Sequence, residues 1–264
     1  MATRPGLRTN AAAQCGRFLR EELGLTTGTA ALLLRKTPWL LAMEVHILQQ
    51  RQSAWQRGFG LSDAQLAKVI GRQPHLMTYK VTGIEEQAAA VLAWCRARGW
   101  TADDVVKMAS TEPRLLARHC STLQTNLDRF VDICGLSQEQ AAAACRSWPT
   151  VLTRNMATPG NERKLDFLQR VTRRPRADIV QFPMYLSRSL ENIIAPRTYF
   201  MRARGRELSR TLSYLRESHP VFCKRCGCTE AEFGEWLTTR RQTPEGRQWG
   251  GKAATSAAAE PQRQ

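Results

Sequence analysis

The 264 residues, 42% of them hydrophobic, are enough for one large domain or two ordinary ones with a real core. Thirty-nine Lys and Arg against 23 Asp and Glu give a net charge of +16, which points to a polyanionic partner, nucleic acid being the commonest. The longest apolar stretches, 29–34 and 88–95, fall far short of the roughly 18 residues of a membrane span, and the eight scattered cysteines do not suit a secreted disulfide framework.

Residues 1–20 hold Arg4, Arg8, Arg17 and Arg20 and no acid before Glu21, the composition of an organellar transit-peptide remnant or of a plain basic N-terminus. From 21 to 241 the chain is a repeat. Pro38, Pro74, Pro113, Pro149, Pro183 and Pro220 recur at intervals of 36, 39, 36, 34 and 37 residues. In every copy the second and third residues after proline are apolar, from Leu40 and Leu41 to Phe222 and Cys223.

Gly24, Gly60, Gly99 and Gly135 each lie 14 residues before one of the first four prolines and open a Gly-apolar-Ser/Thr triplet, seen again at Gly227. The Ser or Thr is placed to cap a helix, its hydroxyl accepting an otherwise unpaired backbone N–H. Gln65, Gln140 and Glu232 follow Ser62, Ser137 and Thr229 by three residues and complete capping boxes, and Asp104 after Thr101 is a near relative. Each capped helix must end before the next proline, which pushes its preceding residue out of the α region. A longer helix follows. Ile84, Ala88, Val91, Leu92 and Cys95 share one face, and Leu123, Leu127, Phe130, Val131 and Cys134 repeat that spacing one copy later. In the fourth copy Pro159-Gly160 should interrupt the long helix, and Arg174-Pro-Arg stands where the glycine triplet belongs. Ile193, Phe200 and Met201 carry the apolar face of the fifth. Residues 242–264, rich in Gly, Ala and Gln, read as a disordered tail. No window alternates with period two. The predicted class is all-α, with short helix, proline turn and longer helix stacked as an α-solenoid, because no single unit buries its own face.

These residues resemble the mitochondrial transcription termination factor (mTERF) family, whose repeat runs P-x-apolar-Leu, a helix, then Gly-Leu-Ser opening the next helix. The closest stretch is 178–205, DIVQFPMYLSRSLENIIAPRTYFMRARG, where P-x-x-L-x-x-S-L-E leads to I-x-P-R. The likeness covers roughly residues 24–236. It implies a right-handed-type helical-repeat α-solenoid of the plant or algal organellar type, residence in chloroplast or mitochondrion, and a basic groove for double-stranded DNA or structured RNA. The chain is short for the family, and missing N-terminal repeats are one reading of that.

Charge is uneven: from Arg146 to Arg225 there are 17 Lys or Arg and 6 Asp or Glu, +11 of the total +16. The fifth residue after the repeat proline is Met43, Tyr79, Arg118, Arg154, Arg188 and Arg225 in turn. Equivalent positions in a stack share one side, so Arg118, Arg154, Arg188 and Arg225 are predicted to bind nucleic acid by neutralising successive phosphates. The resemblance marks Arg197 as a recurrent basic position and adds it to them. Arg173, Arg174, Arg176, Arg202, Arg204 and Arg206 are expected in turns, with a loose electrostatic role.

His219, Cys223, Cys226 and Cys228 have the spacing of a zinc site. Cys223 and Cys228 nevertheless fall on positions that earlier copies fill with core residues, so packing is the preferred reading and no metal is expected. Trp39, Trp94, Trp100 and Trp148 read as core residues. The four histidines, His46, His75, His119 and His219, lie in different copies, and there is no P-loop, Gly-x-Gly-x-x-Gly or nucleophile elbow. A monomer is expected, not an enzyme, with no cofactor, small-molecule substrate or membrane partner. The functional expectation is binding of duplex DNA to regulate or terminate organellar transcription. Its alternatives are structured-RNA binding for processing or ribosome assembly, and a protein-binding scaffold. The in-phase arginines weigh against the scaffold, since a peptide-binding face is apolar or mixed.

Overall fold

The computed structural model describes residues 12–208, 212–243 and 246, and among them there is no strand. The chain divides into two compact units, Met1–Ala157 and Thr158–Gln264. In the first, a helix over 12–17 (α1) runs on as one π turn, Phe18–Glu22, with Cys15, Phe18 and Leu19 buried, so the fold begins ahead of residue 21. The repeat then supplies short helices α2 (Thr27–Lys36), α4 (Asp63–Arg72), α6 (Ala102–Thr111) and α8 (Gln138–Ser147). Between them lie long helices α3 (Val45–Phe59), α5 (Val81–Arg96) and α7 (Cys120–Cys134), and the unit ends on the single turn α9 (Thr150–Thr153).

Local chemistry sets each boundary. Ser62 with Gln65, Thr101 with Asp104, and Ser137 with Gln140 form reciprocal capping boxes at the starts of α4, α6 and α8. Asp104 is thus a full partner, its carboxylate accepting the Thr101 N–H at 3.0 Å. Gly60 and Gly135 end α3 and α7 with φ of +68° and +63°, a left-handed conformation that a side chain would strain. Thr37, Gln73, Glu112 and Trp148 precede the prolines with φ from −132° to −144° and ψ from 64° to 77°, which stops every short helix there. The first three prolines open 3-10 turns, Pro38–Ala42, Pro74–Thr78 and Pro113–Ala117.

The short helices contact one another in sequence, α2 to α4 to α6 to α8, and so do α3, α5 and α7, giving two layers. Ile84, Ala88, Val91 and Cys95 are buried, as are Leu123, Leu127, Phe130 and Cys134, while Leu92 and Val131 are half-buried at matching places. Each large apolar side chain so buried contributes about 1.5–3 kcal/mol. One polar residue per long helix fixes the step to the next copy. Arg51, Gln87 and Asn126, each 13 residues after its proline, donate to the carbonyls of Met77, Arg118 and Leu152 in or just after the following turn. Those carbonyls have no helical partner, so the bond satisfies them and sets the register together.

The second unit departs from this pattern. Pro159 does not interrupt a helix but starts α10 (Pro159–Arg170), following Thr158, whose hydroxyl accepts the Asn161 N–H. Proline suits that first position because its missing N–H would be unpaired there anyway. No glycine ends this helix; Arg173 takes the left-handed conformation instead, with φ +56°. A 3-10 turn, Arg176–Gln181, replaces the short helix, and the turn Pro183–Ser187 follows. Ser189 caps a π turn, Leu190–Ile194, that continues into α11 (Ala195–Ala203). The wider turn rotates the face, so Ile194 is buried and Ile193, expected in the core, is half-buried, while Phe200 and Met201 are buried. A last turn, Ser213–Leu215, leads to α12 (His219–Cys226) and α13 (Glu230–Gln242), the latter opened by a Thr229–Glu232 capping box. Most of the expected tail, 242–264, lies outside the described residues.

Candidate nucleic-acid interface

Each proline turn ends on a residue in extended backbone before the next long helix starts. Met43, Tyr79, Arg118, Arg154 and Arg188 hold this place, with φ from −66° to −129° and ψ from 137° to 147°. Arg118 and Arg154 are exposed, and among the described residues neither side chain has a hydrogen-bond or ion-pair partner. Lys36, Lys80 and Arg146, close to the same turns in sequence, are exposed as well. The one buried acid there, Glu112, is neutralised by a two-pronged contact with Arg114 at 2.6 and 2.7 Å and accepts from Thr150 at 3.2 Å. Burial pushes the Glu112 carboxyl up, but Arg114 and the threonine hydroxyls outweigh it and hold it below its ordinary value. Asp63, Asp103, Asp104 and Glu139 sit instead in the first turns of the short helices, where they offset the helix dipole. The acids of the short helices therefore lie one helix away from the proline turns; Glu44 is exposed beside Met43 at the first turn, and the exits of the next three carry Lys80, Arg118 and Arg154.

The comparisons agree with a repeat of this kind: the mTERF family matches residues 18–222. The chain belongs to the mTERF family. No curated protein sequence matches it. The family is one of organellar proteins that bind nucleic acid or act in transcription, which makes nucleic acid the partner class. Among the described residues no helix is long and apolar enough to cross a membrane.

In the second unit of this mTERF protein the predicted residues part company. Arg188 keeps the turn-exit place; its Nη2 lies 3.6 Å from Met184 Sδ, and its Nε is buried without a partner among the described residues. Arg197 is not a surface residue. It is 7% exposed, donates from Nη1 to the carbonyls of Tyr214 and Glu217 at 2.8 Å each, and lies 4.7 Å from the Phe222 ring centre. It plays the part that Arg51, Gln87 and Asn126 play earlier, as Lys164 does by donating to Leu186 O at 2.6 Å. Its assignment to the nucleic-acid surface is therefore withdrawn: the guanidinium is held inside the fold by carbonyls that need it.

Arg225 is also misplaced by the sequence phase. Pro220 is not at a turn but in the first turn of α12, so the fifth residue after it lies inside that helix. The sixth turn is Ser213–Leu215, which has no proline. Tyr214 and Leu215 are buried like Tyr185 and Leu186, and the Tyr214 hydroxyl bonds Thr198 as the Tyr185 hydroxyl bonds Lys164 O. Ser218 then precedes α12 as Ser189 precedes the π turn. The residue matching Arg188 is thus Glu217, and Arg225 Nε donates to its carboxylate at 2.7 Å. The shared Tyr-Leu-x-x-Ser spacing, 185–189 and 214–218, was the signal that could have found this.

Of the arginines expected in turns, Arg173 and Arg206 are exposed, whereas Arg174, Arg176, Arg202 and Arg204 are tethers rather than loose charges. Arg176 meets Glu162 at 2.9 Å and Asp166 at 2.7 Å, Arg174 meets Asp178 at 3.4 Å, and Arg202 donates to Val171 O. Arg204 lies 3.8 Å from Glu232 and over the Phe200 ring. Cys223 and Cys226 are buried and Cys228 is half-buried, its thiol 3.5 Å from Cys223 O, where packing accounts for them. Trp100 is buried, whereas Trp39, Trp94 and Trp148 are half-buried.

Proposed function

We propose that this chain is a monomeric, non-enzymatic chloroplast or mitochondrial factor that binds double-stranded DNA along its proline-turn edge and so regulates or terminates transcription. The observation that carries the reading is the pair Arg118 and Arg154. They stand at the same extended backbone conformation in successive copies, exposed and unengaged among the described residues. Free guanidinium groups repeated at a fixed structural step suit a polyanion with a regular phosphate spacing, and phosphate contact positions a protein without reading sequence. A chain of net charge +16 adds long-range attraction to the same partner.

The test is fluorescence anisotropy at fixed salt with organellar duplex DNA, a structured organellar RNA and an acidic peptide. The duplex should bind tightest, and Arg118→Ala/Arg154→Ala should weaken it on specific and unrelated sequences alike. Tighter binding of RNA would replace the DNA part of the reading. Binding of the peptide alone would overturn it in favour of a protein-binding scaffold.

A further inference from the structure

Glu217 occupies the turn-exit place that Arg118, Arg154 and Arg188 hold in the three preceding copies. The equivalence rests on the buried Tyr-Leu pair, the serine ahead of the next helix, and the donation from the preceding long helix. Arg197 bonds the Glu217 carbonyl as Gln87 bonds that of Arg118. The Glu217 side chain is 12% exposed; Oε1 takes Arg225, and Oε2 is buried with no partner among the described residues. Arg225 itself is 45% exposed on α12. A carboxylate therefore stands where a phosphate-binding guanidinium would be expected, and it holds an exposed guanidinium from α12.

We propose that Glu217 bars phosphate contact at its own copy in the second unit, by repelling phosphate there and by keeping Arg225 neutralised. This rests on the reading of the turn-exit arginines as phosphate ligands. Discrimination between partners needs repulsive elements as well as attractive ones, and a carboxylate at a turn exit is one. A phosphate that approaches this copy must first take Arg225 from Glu217, with no net release of counterions from that arginine. A contact of the kind proposed for Arg118 and Arg154 is then closed to this copy, although Arg216 and Lys224 beside it are exposed.

The experiment is a salt titration of duplex binding for the wild-type chain, Glu217→Gln, Glu217→Gln/Arg225→Ala, and Arg118→Ala. Glutamine keeps the backbone carbonyl for Arg197 and the side-chain volume, and circular dichroism with a thermal melt checks the fold. Glu217→Gln should tighten binding at low salt and steepen the slope of log K against log salt by about 0.9, roughly a 3.5-fold greater loss of affinity over a fourfold rise in salt. Adding Arg225→Ala should remove that steepening. An unchanged slope for folded Glu217→Gln, with Arg118→Ala lowering its own, overturns the role of Glu217 alone. An unchanged slope for Arg118→Ala as well overturns the phosphate reading beneath it. Should Glu217→Gln fail to fold, Glu217→Ala serves in the same titration with the same expected and contrary results.

Discussion

The first unit holds its repeat together with backbone devices, and the second replaces several of them with long cationic side chains. Where α3 and α7 end on Gly60 and Gly135 and the next helix opens with a capping box, α10 ends on a left-handed Arg173 with Arg174 and Arg176 tied to nearby acids. The first unit clamps the next turn with one guanidinium, Arg51, and two neutral amides, Gln87 and Asn126, whereas Lys164 and Arg197 in the second are both charged. The comparison separates two uses of positive charge that composition alone merges. Many of the cations in 146–225 are structural, while Arg118 and Arg154 stand exposed and unengaged, among the described residues, at turn exits of the first unit.

The largest effects are expected at the clamps. Arg197→Ala leaves two buried carbonyls without their donor and removes the group stacked on Phe222, so it should cost about 3 kcal/mol in urea unfolding. Asn126→Ala leaves one carbonyl and should cost about 1–2 kcal/mol. If Arg197→Ala instead proved as stable as wild type, the guanidinium would not be a clamp and its place on the binding surface would reopen.

Acid should act on the first unit through Glu112. Its folded pKa is depressed, so its stabilisation is fully present above the ordinary value of about 4.5 and is lost as pH falls through the depressed one. Unfolding free energy measured from pH 6 downward should fall in that window, and Glu112→Gln should flatten the fall. An identical profile for both proteins would show that the pair with Arg114 contributes nothing.

The smallest effects are expected at the helix ends. Gly135→Ala meets no neighbouring atom yet must hold φ near +63°, and should cost about 1 kcal/mol. Arg173→Gly relaxes the same kind of strain and should stabilise by about 0.5–1 kcal/mol, read as a rise in Tm. Opposite signs for the two substitutions sharpen the contrast between the units; equal signs remove it.

The helix boundaries of the first four copies were legible because each is fixed locally, by a cap residue, a glycine or a proline within a few positions. Proline is a reliable sign only when its place in the motif is known. Pro159 and Pro220 start helices, and the turn at Ser213–Leu215 has no proline to announce it. One slipped phase moved the last candidate from Glu217 to Arg225, which reversed the sign of the charge at that copy. Arg197 was misread for a different reason: residue type records a positive charge, but whether carbonyls or solvent surround it depends on contacts 17 and 20 residues away.

If the turn-exit arginines of the first unit contact phosphates, the salt dependence of duplex binding must register each of them. Arg118→Ala and Arg154→Ala should each lower the slope of log K against log salt by about 0.9, with the fold intact. Arg96→Ala, an exposed arginine in the last turn of α5, away from the proline turns, should leave it unchanged. Slopes for Arg118→Ala and Arg154→Ala that match wild type would contradict the claim.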